Sequence, residues 1–92
     1  MILKILSVHD AAVGQFDRPF TARSLAEGER MILAAAREPE QHIGKHASDI
    51  SLHVCGDFDT ETGMVYPCDP QVVVSPAALL SHQRQAESQH QE

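Results

Sequence analysis

The sequence is poor in aromatic rings: three Phe, one Tyr and no Trp among 92 residues. That leaves too few rings for a groove in which successive bases stack. It also leaves a core built from Ile, Leu, Val, Ala and Phe. Two cysteines are too few for a disulfide scaffold, so reduced thiols are expected. No run of basic residues exists. Lys4, Arg18, Arg23, Arg30, Arg37, Lys45 and Arg84 are all separated and stand against 13 acidic residues, for a net charge of -6. Such a chain is repelled on average by nucleic acid and by anionic membranes, which removes the electrostatic case for tight DNA binding. Long apolar runs are missing too. Met1–Leu6 is far too short for a signal core or a membrane span and reads as a buried strand, so no membrane association is expected.

What remains is one small domain. A chain of this length buries only about two-thirds of the surface its unfolded form exposes, so its stability is modest. With 42% apolar residues the core is ordinary but thin. Association with a second copy, a dimer first, is the expected remedy.

Ile2–Val8 is rich in branched residues and reads as a strand. Asp10–Thr21 carries Gly14 and Pro19 and reads as a loop, pinned to the core by Phe16 and Phe20. Ser24 and Glu27 stand at capping-box spacing, in which each side chain accepts from the other's free amide. Leu25, Met31, Ile32, Ala35 and Ala36 follow at helical intervals, and Pro39 ends the run, so a helix is predicted over Ser24–Arg37. Gly28 costs that helix about 1 kcal/mol relative to Ala and marks a close approach to a strand. Polar Glu40–Asp49 reads as a loop. Ile50, Leu52, Val54 and Phe58 alternate with Ser51, His53, Cys55 and Asp57, the period of a half-buried strand. Asp59–Gly63 is a hairpin turn, and Met64–Cys68 returns as an edge strand weakened by Pro67. Val72–Val74 form a further short strand or Pro76–Ser81 a helical turn, and polar residues 83–92 form a disordered tail. The predicted class is α+β in two layers: a small, mostly antiparallel sheet with one main helix, order β-α-β-β, within a domain of residues 1–82.

Candidate chemistry dissolves on spacing. Asp57, Asp59 and Glu61 resemble the start of a calcium loop, but Thr62 and Cys68 occupy the places that need Gly and a bidentate Glu. His42, His46, His53, Cys55 and Cys68 lack the Cys spacing of a zinc knuckle, and His42 and His46 share a face only on a helix. Cys55 meets Cys68 across the hairpin if Phe58 pairs with Val65. A rival register pairs Phe58 with Met64 and separates the thiols. Cys55 with His53 is the one nucleophile-and-base pair, and no oxyanion-hole or phosphate-loop signature accompanies it. No catalytic residue, metal or cofactor is expected. Positive charge gathers only where Lys45 and His46 lie near Arg37 and His42, a weak contact point for phosphate or a partner.

Three segments carry a resemblance: Ile2-Leu3-Lys4-Ile5-Leu6-Ser7-Val8-His9-Asp10, Pro19-Phe20, and above all Gly44-Lys45-His46 running through Ser48-Asp49, the alternating strand and Gly56-Asp57-Phe58-Asp59 to Gly63. Over residues 1 to 80 the chain resembles the small nonstructural protein of gokushoviruses, single-stranded DNA phages of the microvirus family. It departs at Ala47, where Pro is more usual, and at His53 and Cys55, where aromatic or aliphatic residues stand. The resemblance implies a non-enzymatic protein of the host bacterial cytoplasm, absent from the capsid. It implies an accessory role in single-stranded genome synthesis or packaging, through the viral replication protein or weak single-stranded DNA binding. The alternative expectation is a dimeric adaptor or anti-host factor that never touches nucleic acid.

Overall fold

The computed structural model describes residues 1–90. Strand β1 (Ile2–Asp10) is followed by two short strands, β2 (Gln15–Phe16) and β3 (Phe20–Ala22). Helices α1 (Leu25–Ala36) and α2 (His42–Lys45) lead through a 3-10 turn into β4 (Ile50–Asp59), β5 (Val65–Val74) and α3 (Pro76–His90). The class is the predicted one, an antiparallel sheet with its helices in a second layer. All pairings are antiparallel: β4 lies between β1 and β5, while β2 and β3 share the opposite side of β1. The expected loop 10–21 is therefore interrupted by two short strands, with turn at 11–14 and irregular chain at 17–19. Their pairing with β1 is tertiary, for Phe16 faces His9 and Phe20 faces Leu6, and no local propensity announces it.

The alternation read in β4 holds from Ile50 to Val54; past the register shift at Cys55 the faces exchange, so that Phe58, read with the core set, lies on the opposite side with Leu3 and Val65. Ile50 and Leu52 are completely buried, and with Leu6 of β1 they form the floor on which the helices rest. Helix α1 begins where predicted, at N-cap Ser24, whose hydroxyl accepts from the Glu27 N–H at 3.1 Å. The reciprocal bond goes one residue earlier than a capping box requires, from the Arg23 N–H to the Glu27 carboxylate at 3.3 Å. The buried stripe of α1 is Gly28, Ile32 and Ala36, whereas Leu25 and Met31 are exposed. Small residues at two of those three places let the helix settle close to β1, and a Cβ at Gly28 would run into Leu6 Cδ1. The close approach inferred from Gly28 is real.

The hairpin turn follows expectation. The Asp59 N–H donates to Met64 O (2.9 Å), the Gly63 N–H donates to Asp59 O (2.8 Å), and Gly63 takes φ +75°. The Asp59 carboxylate is occupied by the turn itself, accepting from the Glu61 N–H at 2.9 Å. Of the two registers, Phe58 pairs with Val65. The ladder then shifts around Cys55, so that Gly56 faces Pro67 while Val54 already faces Gln71. The two short strands expected over 64–68 and 72–74 are thus one strand, Val65–Val74. Pro67 and Pro70 are tolerated inside it because it lies at the edge of the sheet.

Two corrections concern the rest. Glu40–Asp49 is not loop: it holds α2 and the 3-10 turn Ala47–Asp49, with Ala47 buried. The helical turn expected at Pro76–Ser81 is the start of a longer helix that takes in residues 83–86 of the expected tail. Ser75 caps it (Ala78 N–H to Ser75 Oγ, 3.2 Å), Pro76 occupies the first turn, where a missing N–H costs nothing, and Leu79 is fully buried. Gln83 anchors it from the side, its amide donating to Ala36 O at 2.6 Å and to Gly44 O at 2.8 Å. The expected tail also includes residues 91–92, which lie outside the described residues.

Candidate functional site

The four residues singled out as a contact point occupy one corner, but they do not form one patch. Arg37, the C-cap of α1, turns to α3, its Nε donating to His82 Nε2 at 2.7 Å. His42 turns the other way and meets Asp10 at the end of β1, with Nε2 to Oδ2 at 3.0 Å. Because α2 is helical, His42 and His46 share a face after all, their rings 4.8 Å apart. Lys45 is exposed on α2. The turn that carries them is pressed against α1: a Cβ on Gly44 would strike the Glu38 backbone carbonyl. Glycine at the head of Gly44-Lys45-His46 is therefore a packing requirement, and only Lys45 and His46 point outward as contact groups.

Asp10 sits below this corner. Its carboxyl is held under the ordinary 3.8 by the His42 hydrogen bond first, with help from the Ala12 N–H at 3.0 Å. Beside it opens a cleft of about 180 Å³ lined by Val8, Asp10, Gln15, Asp17, His42 and Ile50 among others. Two carboxylates against one imidazole make the cleft unfavourable to phosphate.

The other face of the sheet was not foreseen. Paired residues share a face, so the odd residues of β1 define a side opposite to Leu6 and Val8. There Leu3 faces Phe58, which faces Val65, and Ser7 faces His53, which faces Val72. Phe16, expected in the core, is 45% exposed on this side. Its ring lies 4.6 Å from His9 and 5.2 Å from His53. Burial first, and the neighbouring His9 second, push His53 below its ordinary 6.5. The Nδ1 of His53 is buried without a partner. The alternation of β4 had already put His53 opposite the core residues. Its partners required knowing that β1 and β2 lie alongside.

Cys55, at the register shift, does not gain a base from His53, whose ring is engaged with His9 and Phe16. Burial, and then Cys68 nearby, raise the Cys55 thiol above its ordinary 9.0, which favours the protonated form. Both thiols are free, and Cys68 Sγ lies 3.9 Å from Val54 O. Among the described residues no three His, Cys, Asp or Glu side chains converge to hold a metal ion, and no helix is long and apolar enough to cross a membrane.

Residues 3–79 match the family model described as Phage ORF5 protein. The chain belongs to this phage protein family. The match spans β1 through the first turn of α3, and so includes the Gly44-Lys45-His46 corner and both faces of the sheet. No curated protein and no solved structure matches the chain.

Proposed function

We propose that the protein is a gokushovirus nonstructural factor of the host bacterial cytoplasm. It serves single-stranded genome synthesis or packaging by binding, not catalysis. It works chiefly through the viral replication protein and touches single-stranded DNA only weakly. The observation that carries this reading is the division of the basic corner. Arg37 is bonded to His82 and His42 to Asp10, leaving Lys45 and His46 as the free contact pair. The phage family membership supports it.

Two phosphate contacts at most predict a shallow salt dependence, with log affinity falling about 0.7 per contact for each decade of salt. Binding to a labelled oligodeoxynucleotide at two salt concentrations tests this. A dissociation constant weaker than micromolar is expected, lost in Lys45→Ala. No binding even at low salt, together with no co-purification with the replication protein from infected cells, would refute the proposal. A second reading, an interaction module with no nucleic-acid contact, is favoured by the open sheet face. It predicts co-purification with a protein partner and no salt-dependent DNA binding at all.

A further inference from the structure

One side of the sheet carries all three helices; on the other, Ser7 and Ser51 are buried, with Ser7 Oγ donating to Asp17 O at 2.6 Å, while the rows toward β5 stay open. That open face has an apolar band of Leu3, Ile5, Phe58, Val65 and Val72, continued by the ring cluster of His9, Phe16 and His53. Val65 is 53% and Val72 60% exposed. Its charge is as telling as its polarity. None of these positions is Asp, Glu, Lys or Arg, on a chain of net charge -6. The neighbouring charged pair, Lys4 and Asp57 at 3.0 Å, belongs to the opposite side.

We infer that this open face is the contact surface for a second copy of the chain, the two sheets packing face to face into a sandwich with helices outside. Three observations select this occupant. An acidic protein meeting its own copy is repelled wherever acids oppose acids, and none of the paired positions of this band is an acid, Asp69 lying in the unpaired stretch of β5 between Pro67 and Gln71. The sheet edges are poor alternatives. Pro67 and Pro70 withhold N–H donors from β5, and the far row is broken between β2 and β3 at Asp17-Arg18-Pro19. The dimensions come close to those a stable dimer needs. The nine residues of β1 span about 30 Å. Four rows at ~4.8 Å give ~19 Å of width, hence roughly 600 Å² in plan before side-chain relief is counted. A standard interface takes about 800 Å² from each partner. Two sheets meeting in this way pack ~10 Å apart with interdigitating side chains. A two-fold arrangement sets the same patch against itself, so every charge introduced there enters twice.

The inference does not rest on the DNA-linked role, and its test reads neither DNA nor the replication protein. Sedimentation velocity of the full chain at tens of micromolar is expected to give a dimer. Val65→Lys and Val72→Lys alter exposed side chains, so circular dichroism should stay that of the wild type. Each is expected to weaken the dimer at least tenfold. Met31→Lys, on the exposed side of α1, should leave it intact. A wild-type monomer at 100 μM would overturn the inference. So would a dimer that both lysine variants retain, which places the contact elsewhere.

Discussion

Gly28 allows the packing of α1 on the sheet to be measured. In an unencumbered helix Gly→Ala gains about 1 kcal/mol. Here the new methyl would run into Leu6 Cδ1, with Cγ at 3.6 Å and Cδ2 at 3.7 Å. Leu6 is completely buried, so it can yield only by pushing on other core side chains. Overpacking of this kind costs about 1–3 kcal/mol. The expected net effect of Gly28→Ala is therefore a destabilisation of up to about 2 kcal/mol, the reverse of what helix propensity dictates. Leu6→Ala removes the obstructing atom at its own cost of about 2–5 kcal/mol. In that background the propensity gain should reappear, with Gly28→Ala raising the melting temperature by about 4–8 °C. Urea and thermal unfolding of the four proteins, followed by circular dichroism, give a coupling energy of about 1–3 kcal/mol. Gly28→Ala stabilising the wild-type chain, or a coupling near zero, would refute the close contact between α1 and β1.

Gln83→Ala should cost about 1–3 kcal/mol, since it leaves both Ala36 O and Gly44 O without their side-chain donor, and chemical denaturation reads the loss. Stability should fall on acidification in two windows. His53 titrates below 6.5 in the folded chain, so the unfolded chain takes up protons first and stability drops as pH falls from 6.5 toward the folded value. His53→Phe should flatten that window in unfolding curves recorded between pH 7 and 5. Asp10 is depressed below 3.8, so its contribution is present above 3.8 and vanishes as pH falls through the lower folded value, a step that Asp10→Asn should remove.

Features whose cause is local were legible in the sequence. Ser24 and Glu27 announced the start of α1, the alternation from Ile50 to Val54 announced a half-buried strand, and Asp59–Gly63 announced its turn. Each rests on neighbours within a few residues. What escaped depends on partners far along the chain. Phe16 read as a core anchor because nothing local shows that His9 and His53 wait beside it on the open face. His42 and His46 read as loop residues, since α2 is a single turn held by α1 and by Gln83 of α3. Helix α3 outruns its apolar residues for the same reason. The corner of Lys45 and His46 was found, but the two residues expected beside them are drawn off by Asp10 and His82. The open face was not found at all, because a strand's second face acquires meaning only once its neighbours are known.

The pairing of β1 with β4 also sets a clock on the nascent chain. Lys4 and Asp57 touch across the centre of the sheet yet stand 53 residues apart. At about 5–20 residues per second of synthesis, the first strand waits roughly 3–10 s for the strand that will cover its flank. Non-local pairing of this kind also slows the folding step itself. During that interval β3 can pair with Lys4–Leu6 and α1 can cover Leu6, while Leu3 and Ile5 stay on the open face. The short strands that looked like an unremarkable loop are thus the first shelter available to β1 as the chain emerges.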